Sequence, residues 1–131
     1  MLDVDYVRNF VCPTGVLSFP NRSPHRWILP GIYYTFDLEL PSFGPLVPQV
    51  NPEDGEVESF ERMTVEEVVS RLFNDEFKSS SAMAMVDFLV RHGYVTAEND
   101  ARYADLCFEL RRDIGLPKWQ PLAEAEGKSV R

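Results

Sequence analysis

The sequence is poor in the residues that make staples and metal cages. Two cysteines, Cys12 and Cys107, and two histidines, His25 and His92, are scattered through 131 residues. The cysteines fit neither a Cys-x-x-Cys pair nor a zinc-ligand spacing, so they read as reduced, semi-buried thiols. No apolar run approaches the roughly 20 residues needed to cross a bilayer. The start, Met1-Leu2-Asp3-Val4-Asp5, lacks the cationic and apolar order of a secretory signal. The expectation is therefore an intracellular, cytoplasmic chain with no membrane contact. Positive charge is also short: 13 Lys and Arg stand against 21 Asp and Glu, a net charge of −8. Such a field repels phosphate backbones, which argues against a nucleic-acid partner, while leaving room for a cation-dependent site. Walker loops, G-x-G-x-x-G, H-E-x-x-H and a Ser/His/Asp order are all missing.

What is present describes an ordinary globular chain, with 44% apolar and 26% charged residues and a length suited to one domain. Residues 2–8 read as a helix tail or linking turn, too short to stand alone. Residues 10–19 read as a strand disturbed at Pro13 and Gly15, with Pro13 marking an edge or bulge. Residues 20–26 read as a loop. The strongest strand signal is Ile32 to Leu40: Ile32, Tyr34, Phe36, Leu38 and Leu40 alternate with Tyr33, Thr35, Asp37 and Glu39. Residues 41–55 form a long Pro- and Gly-rich loop, and residues 56–62 read as a short strand leading into a helix. That helix opens on a capping box, Thr64 with Glu67, and repeats Val65, Val68, Val69, Leu72 and Phe73 at helical spacing, which predicts one buried face. A second helix begins at Ser80 or Ser81, carries the stripe Ala82, Met85, Val86, Leu89 and Val90, and stops at Gly93 with Arg91 and His92 in its last turn. A third begins at Thr96 or Glu98 and runs to Ile114, closed by Gly115 and Pro117. Residues 118–131 lack periodicity and read as a flexible tail.

Three groups of residues are candidates for chemistry. Seven acids lie between Glu53 and Glu67 with only Arg62 opposing them, a local charge of −6. Glu56 and Glu58 would share a face if this stretch is a strand, and two carboxylates on one face are a candidate Mg²⁺ or Mn²⁺ site. The plainer reading is a solvated acidic edge. The aromatics Trp27, Tyr33, Tyr34 and Phe36 offer a stacking wall for a heterocycle, or else simple strand packing. Arg22, His25 and Arg26 make a small basic loop. His92 is explained by the helix dipole alone.

Four stretches together carry a resemblance: Tyr34-Thr35-Phe36-Asp37-Leu38-Glu39-Leu40-Pro41, Asp54-Gly55-Glu56-Val57-Glu58-Ser59-Phe60, Thr64-Val65-Glu66-Glu67-Val68, and Asp87-Phe88-Leu89-Val90-Arg91-His92-Gly93-Tyr94-Val95-Thr96. They resemble the C-terminal half of Nudix hydrolases, in the fungal and plant group related to thiamine pyrophosphokinase, over roughly residues 5–112. The resemblance implies an α+β fold, a Nudix-like α/β/α sandwich with a mixed sheet from strands near 10–19, 28–40 and 56–62. It implies metal-dependent cleavage of a diphosphate linkage, in an oxidised nucleotide such as 8-oxo-dGDP or in a thiamine diphosphate derivative. Complete members use Mg²⁺ or Mn²⁺ held by the Nudix box, G-x5-E-x7-R-E-U-x-E-E-x-G-U, with U aliphatic. Glu66-Glu67 does not satisfy that box, because Met63 and Val69 stand where Glu and Gly are required. The expectation is an incomplete domain over 1–117, lacking the Nudix helix, with no catalytic residue of its own and no metal bound by this chain alone. Trp27 and Tyr34 remain as substrate-binding candidates, and Glu56 and Glu58 as supporting metal candidates. Two origins stay open, a fragment of a longer enzyme or a short paralogue without the chemistry. A covering layer removed from the sheet would expose apolar surface to a protein partner.

Overall fold

The computed structural model describes residues 4–22, 27–41, 47–53 and 55–115. The tail expected over 118–131, and His25 and Arg26 of the basic loop, lie outside the described residues. The chain opens on α1 (Val4–Phe10). Seven residues are marginal as an isolated helix, and this one is tied at its side chains. The Tyr6 hydroxyl donates to the Glu39 carbonyl at 2.9 Å, and its ring stacks on Phe10 with centroids 4.6 Å apart.

Two long strands follow, β1 (Val11–Arg22) and β2 (Ile28–Leu38), paired antiparallel from Val11↔Leu38 to Arg22↔Ile28. The predicted disturbance falls where Pro13 and Gly15 suggested it. The register shifts between them, and Gly15 takes a φ of 131°, which a side chain would resist. Thr14, the extra residue, donates its hydroxyl to Thr35 Oγ1 at 3.0 Å and so fastens the bulge to β2.

Residues directly opposite on two strands share a face. Leu17 lies opposite Tyr33, and that face, with Phe19, Thr35 and Asp37, turns toward the helices; Leu17 is 3% exposed. Val16 lies opposite Tyr34, Ser18 opposite Ile32, and Pro13 opposite Phe36. This second face carries the more apolar half of β2, yet Ile32, Tyr34 and Phe36 are all exposed. The period-two pattern announced the strand, but it did not say which side would be covered.

The helices are α2 (Val65–Phe73), α3 (Ser79–Arg91) and α4 (Tyr103–Leu110). The capping box of α2 is present in both directions: Glu67 N–H donates to Thr64 Oγ1 at 3.2 Å, and Thr64 N–H donates to Glu67 Oε2 at 2.7 Å. Both α2 and α3 end in Schellman motifs. In α2 the Glu76 N–H reaches the Arg71 carbonyl and Asp75 N–H reaches Leu72, with Asp75 at φ 58°. In α3 Tyr94 N–H reaches Leu89 and Gly93 N–H reaches Val90, with Gly93 at φ 74°. Leu89 from α3 and Leu110 from α4 join Leu17 as the buried apolar core.

Several expectations are corrected. Residues 56–62 form no strand, and among the described residues the sheet has two strands rather than a mixed set of three. A strand needs a neighbour to accept its ladder of hydrogen bonds, and every side chain from 55 to 62 is exposed. The apolar stripe of α2 does not bury any residue fully, and Phe73 is 88% exposed. The second helix begins at Ser79, with Lys78 as N-cap and no side-chain cap. The third helix is shorter than expected at both ends, running from Tyr103 to Leu110 rather than on to Ile114. Thr96 N–H is taken by Asn99 Oδ1, Asn99 Nδ2 donates to Tyr94, and Arg102 N–H is taken by Asp100 Oδ1, so side chains capture the backbone groups a helix would need. Cys12 is exposed rather than semi-buried, and both thiols are free.

Candidate functional site

The most tightly built polar feature is a charge network that clasps β2 to α3 and α4. Its centre is Asp87, 1% exposed and placed on the sheet-facing side of α3. A bare carboxylate there would be costly, and two guanidinium groups meet it. Arg91, one helical turn on, donates from Nε to Asp87 Oδ2 at 2.7 Å. Arg111, just past α4, donates from Nη2 to Asp87 Oδ1 at 2.6 Å. Arg91 then reaches across to β2 and grips Asp37 with both terminal nitrogens, at 2.7 and 3.0 Å. This is the bidentate geometry that suits a planar guanidinium to a carboxylate.

His92 completes the cluster. As C-cap of α3 it stacks on Phe88 with centroids 4.1 Å apart, and its Nε2 lies 3.0 Å from Asp37 Oδ2. The hydrogen bond from Arg91, helped by those from His92 and opposed by partial burial, lowers the Asp37 carboxyl to about 2. The same contact with Asp37, joined by Asp87, raises the Arg91 guanidinium above its already high range. Two carboxylates and two guanidinium groups balance, so the network is built to hold elements together and leaves no uncompensated cation for a phosphate.

A cleft of about 360 Å³ runs beside this cluster, lined by Tyr34, Phe36, Asp37, Met85, Phe88 and Arg91 among others. Tyr34, predicted as a ligand contact, is 75% exposed at its edge. Trp27, the other predicted contact, is 72% exposed and directly precedes β2. Seven steps of extended chain separate the two, about 23 Å at the rise of a strand, so the structure does not bring them together on one ring-sized site. Tyr33 instead packs edge-on against Phe19 at 6.0 Å, on the opposite face of the sheet. Glu56 and Glu58 sit exposed in an irregular stretch, without the shared strand face that made them a pair. Among the described residues, no three His, Cys, Asp or Glu side chains gather as a metal-holding group.

Sequence reasoning passed over Asp37, Asp87, Arg91 and Arg111 as a unit. Part of the signal was available, because Asp87 and Arg91 are spaced for a helical ion pair. The contact from Arg91 to Asp37 spans 54 positions, and nothing local announces it.

No family model and no solved structure matches the chain. Three proteins do. The uncharacterized protein YJR142W of Saccharomyces cerevisiae is 40% identical over 108 residues, which is 82% of this chain and 30% of that protein. Nudix hydrolase 20, chloroplastic, of Arabidopsis thaliana is 38% identical over 81 residues, 61% of this chain and 20% of its own length. Nudix hydrolase 24, chloroplastic, of the same plant is 37% identical over 81 residues, 61% of this chain and 21% of its own length. The match thus spans less than a third of each of these relatives. Identities of this size over 81 to 108 residues support a Nudix-related origin for the chain.

Proposed function

We propose that this chain is a substrate-framing portion of a Nudix-type hydrolase, of the thiamine pyrophosphokinase-related group, that does not itself perform the chemistry. The observation that carries the reading is the 38% identity over 81 residues with a protein named a Nudix hydrolase, taken with a sequence that holds no Nudix box. The reaction assigned to the whole enzyme is attack of water on phosphorus, with cleavage of the bridging P–O bond of a diphosphate. The substrate would be an oxidised nucleotide such as 8-oxo-dGDP, or a thiamine diphosphate derivative. Mg²⁺ or Mn²⁺ would supply charge stabilisation and the activated water in the complete enzyme. The contribution assigned to this chain is aromatic surface for a heterocycle, from Tyr34 at the wall of the cleft and from Trp27 at a separate point outside it, with Glu56 and Glu58 available as outlying carboxylates. An intracellular, cytoplasmic setting accompanies this reading. No helix among the described residues is long and apolar enough to cross a membrane.

Phosphate release measured with Mg²⁺ on 8-oxo-dGDP and on oxidised thiamine diphosphate tests the proposal. The isolated chain is expected to give the blank rate, and turnover by it would overturn the assignment. A second reading, a ligand- or protein-binding module derived from a Nudix domain, is favoured by the exposed aromatic face of the sheet. Quenching of tryptophan emission by either ligand, reduced in Tyr34→Ala, supports the ligand form of that reading.

A further inference from the structure

We propose that the outer edge of β2 is a docking site for an extended strand of a partner polypeptide, seated in the cleft between that edge and α3. The proposal rests on the second reading above, a protein-binding module, and names the class of partner. The placement of the cleft carries it. Tyr34, Thr35, Phe36 and Asp37 are consecutive on β2 and line the cleft together, against Met85 and Phe88 of α3. Consecutive side chains of a strand point to opposite faces. A cleft that touches all four therefore runs along an edge of the strand rather than over one face. The inner edge is taken by β1, and no residue of β1 lines the cleft. The cleft follows the outer edge.

An edge strand offers the N–H and C=O of every second residue to whatever lies alongside. Among the described residues, no backbone–backbone hydrogen bond beyond the β1–β2 ladder engages residues 28–38. That row of groups selects the occupant, because an extended backbone matches it along its length. The two strands differ in how they would meet such a partner. β1 carries Pro13, Pro20 and a register shift next to Gly15, devices that spoil pairing. β2 runs from Gly31 to Leu38 without proline or lysine. Its Ile32, Tyr34, Thr35 and Phe36 are the β-branched and aromatic residues that suit a paired strand.

Charge narrows the partner further. The chain carries −8, and Arg91 at the cleft is already held by Asp37 and Asp87. An acidic segment would be repelled and would find no uncompensated cation among the described lining residues. The partner strand is accordingly neutral or basic. Apolar residues at its alternate positions would continue the face made by Ile32, Tyr34 and Phe36. The four cleft residues of β2 span roughly 13 Å. A contact that short belongs with weak, reversible encounters.

Amide hydrogen exchange of the full chain, read by NMR, tests this. The probe is an end-blocked peptide of about eight residues that alternates valine and lysine. At saturating peptide, alternate amides between Gly31 and Leu38 should slow about tenfold or more, while those of β1 stay unchanged. The same peptide with its backbone N-methylated keeps its charge but loses its N–H donors, and should bind about tenfold more weakly or worse. Met85→Lys puts a cation on the helix wall of the cleft and should weaken the unmodified peptide by about tenfold. Phe108→Lys, on α4 at a site 77% exposed, should not. Equal binding of the N-methylated peptide overturns the proposal, as does equal slowing along β1. Slowing of the β2 amides that grows with protein concentration in the absence of peptide assigns the edge to a second copy and also overturns it. Peptide binding that leaves the β2 amides unprotected sinks the edge site but keeps the protein-binding reading. No peptide binding, with tryptophan quenching by a diphosphate ligand, sinks the edge site and keeps the ligand form of the module.

Discussion

Asp87 is the residue on which three elements depend. Its carboxylate is 1% exposed and is met by Arg91 and Arg111, whose attraction offsets the loss of water only while both contacts persist. Asp87→Asn keeps the shape and removes the charge, leaving two guanidinium groups with one carboxylate between them. The expected cost is about 3 kcal/mol, measured by urea unfolding. Asp37 makes a different prediction, because its linkage is to pH. Its carboxyl is held at about 2 by Arg91, against an ordinary value of 3.8. A carboxyl depressed on folding contributes stability that is full above the unfolded value and is lost as pH falls through the folded one. Thermal stability should therefore decline between about pH 4 and pH 2, by on the order of 1–2 kcal/mol after solvent screening. In Asp37→Asn that step should flatten in a pH series of melting curves. Neither role was evident from sequence: Asp37 stood there as one polar member of an alternating strand, and Asp87 as a letter within a family-like segment.

At the scale of elements, the helix ends were the most readable feature. Capping chemistry is local, since its donors and acceptors lie within four residues of one another. The Thr64 and Glu67 box is made as the spacing required. Thr64→Ala should lower stability by about 1 kcal/mol, or lower the helicity of α2 alone if that helix unfolds separately, and chemical-shift analysis of residues 65–73 would distinguish these. The two Schellman ends give a matched pair. Gly93 sits at φ 74° with no Cβ to resist it, so Gly93→Ala should cost about 1 kcal/mol. Asp75 adopts φ 58° with a side chain present, so Asp75→Gly should be neutral or stabilising by about 0.5 kcal/mol. Equal and opposite outcomes would show that something other than backbone strain controls these ends. The segment 56–62 was misread for the complementary reason. Alternating Glu-Val-Glu resembles a strand locally, but strand formation depends on pairing with a distant edge, and residues 56–62 pair with neither outer edge of the β1–β2 sheet.

For the whole molecule, the limiting quantity is core. Among the described residues three apolar side chains, Leu17, Leu89 and Leu110, are fully buried, while Tyr34, Phe36, Phe73 and Phe108 stand in water. Stability derives chiefly from buried apolar area, so this chain in isolation should unfold over a broad range and bind a hydrophobic dye under native conditions. A urea slope at or below the lower end of the usual 1–3 kcal/mol per molar is expected; a sharp transition without dye binding would contradict this. Among the described residues one face of the sheet is exposed, and the sheet has two strands and is purely antiparallel rather than the mixed sheet expected of a sandwich. What the amino-acid sequence determined by itself was local: the β2 alternation, the bulge at Pro13 and Gly15, the α2 cap and the stop at Gly93. Each follows from steric and hydrogen-bonding rules acting over a few residues. Which face of the sheet meets the helices was decided only in three dimensions, where Leu17 and Phe19 on β1 and the grip of Arg91 on Asp37 turn the less apolar side of β2 inward. A contact reaching from residue 37 to residue 91 has no local trace, because its energy exists only when α3 has packed across the strand.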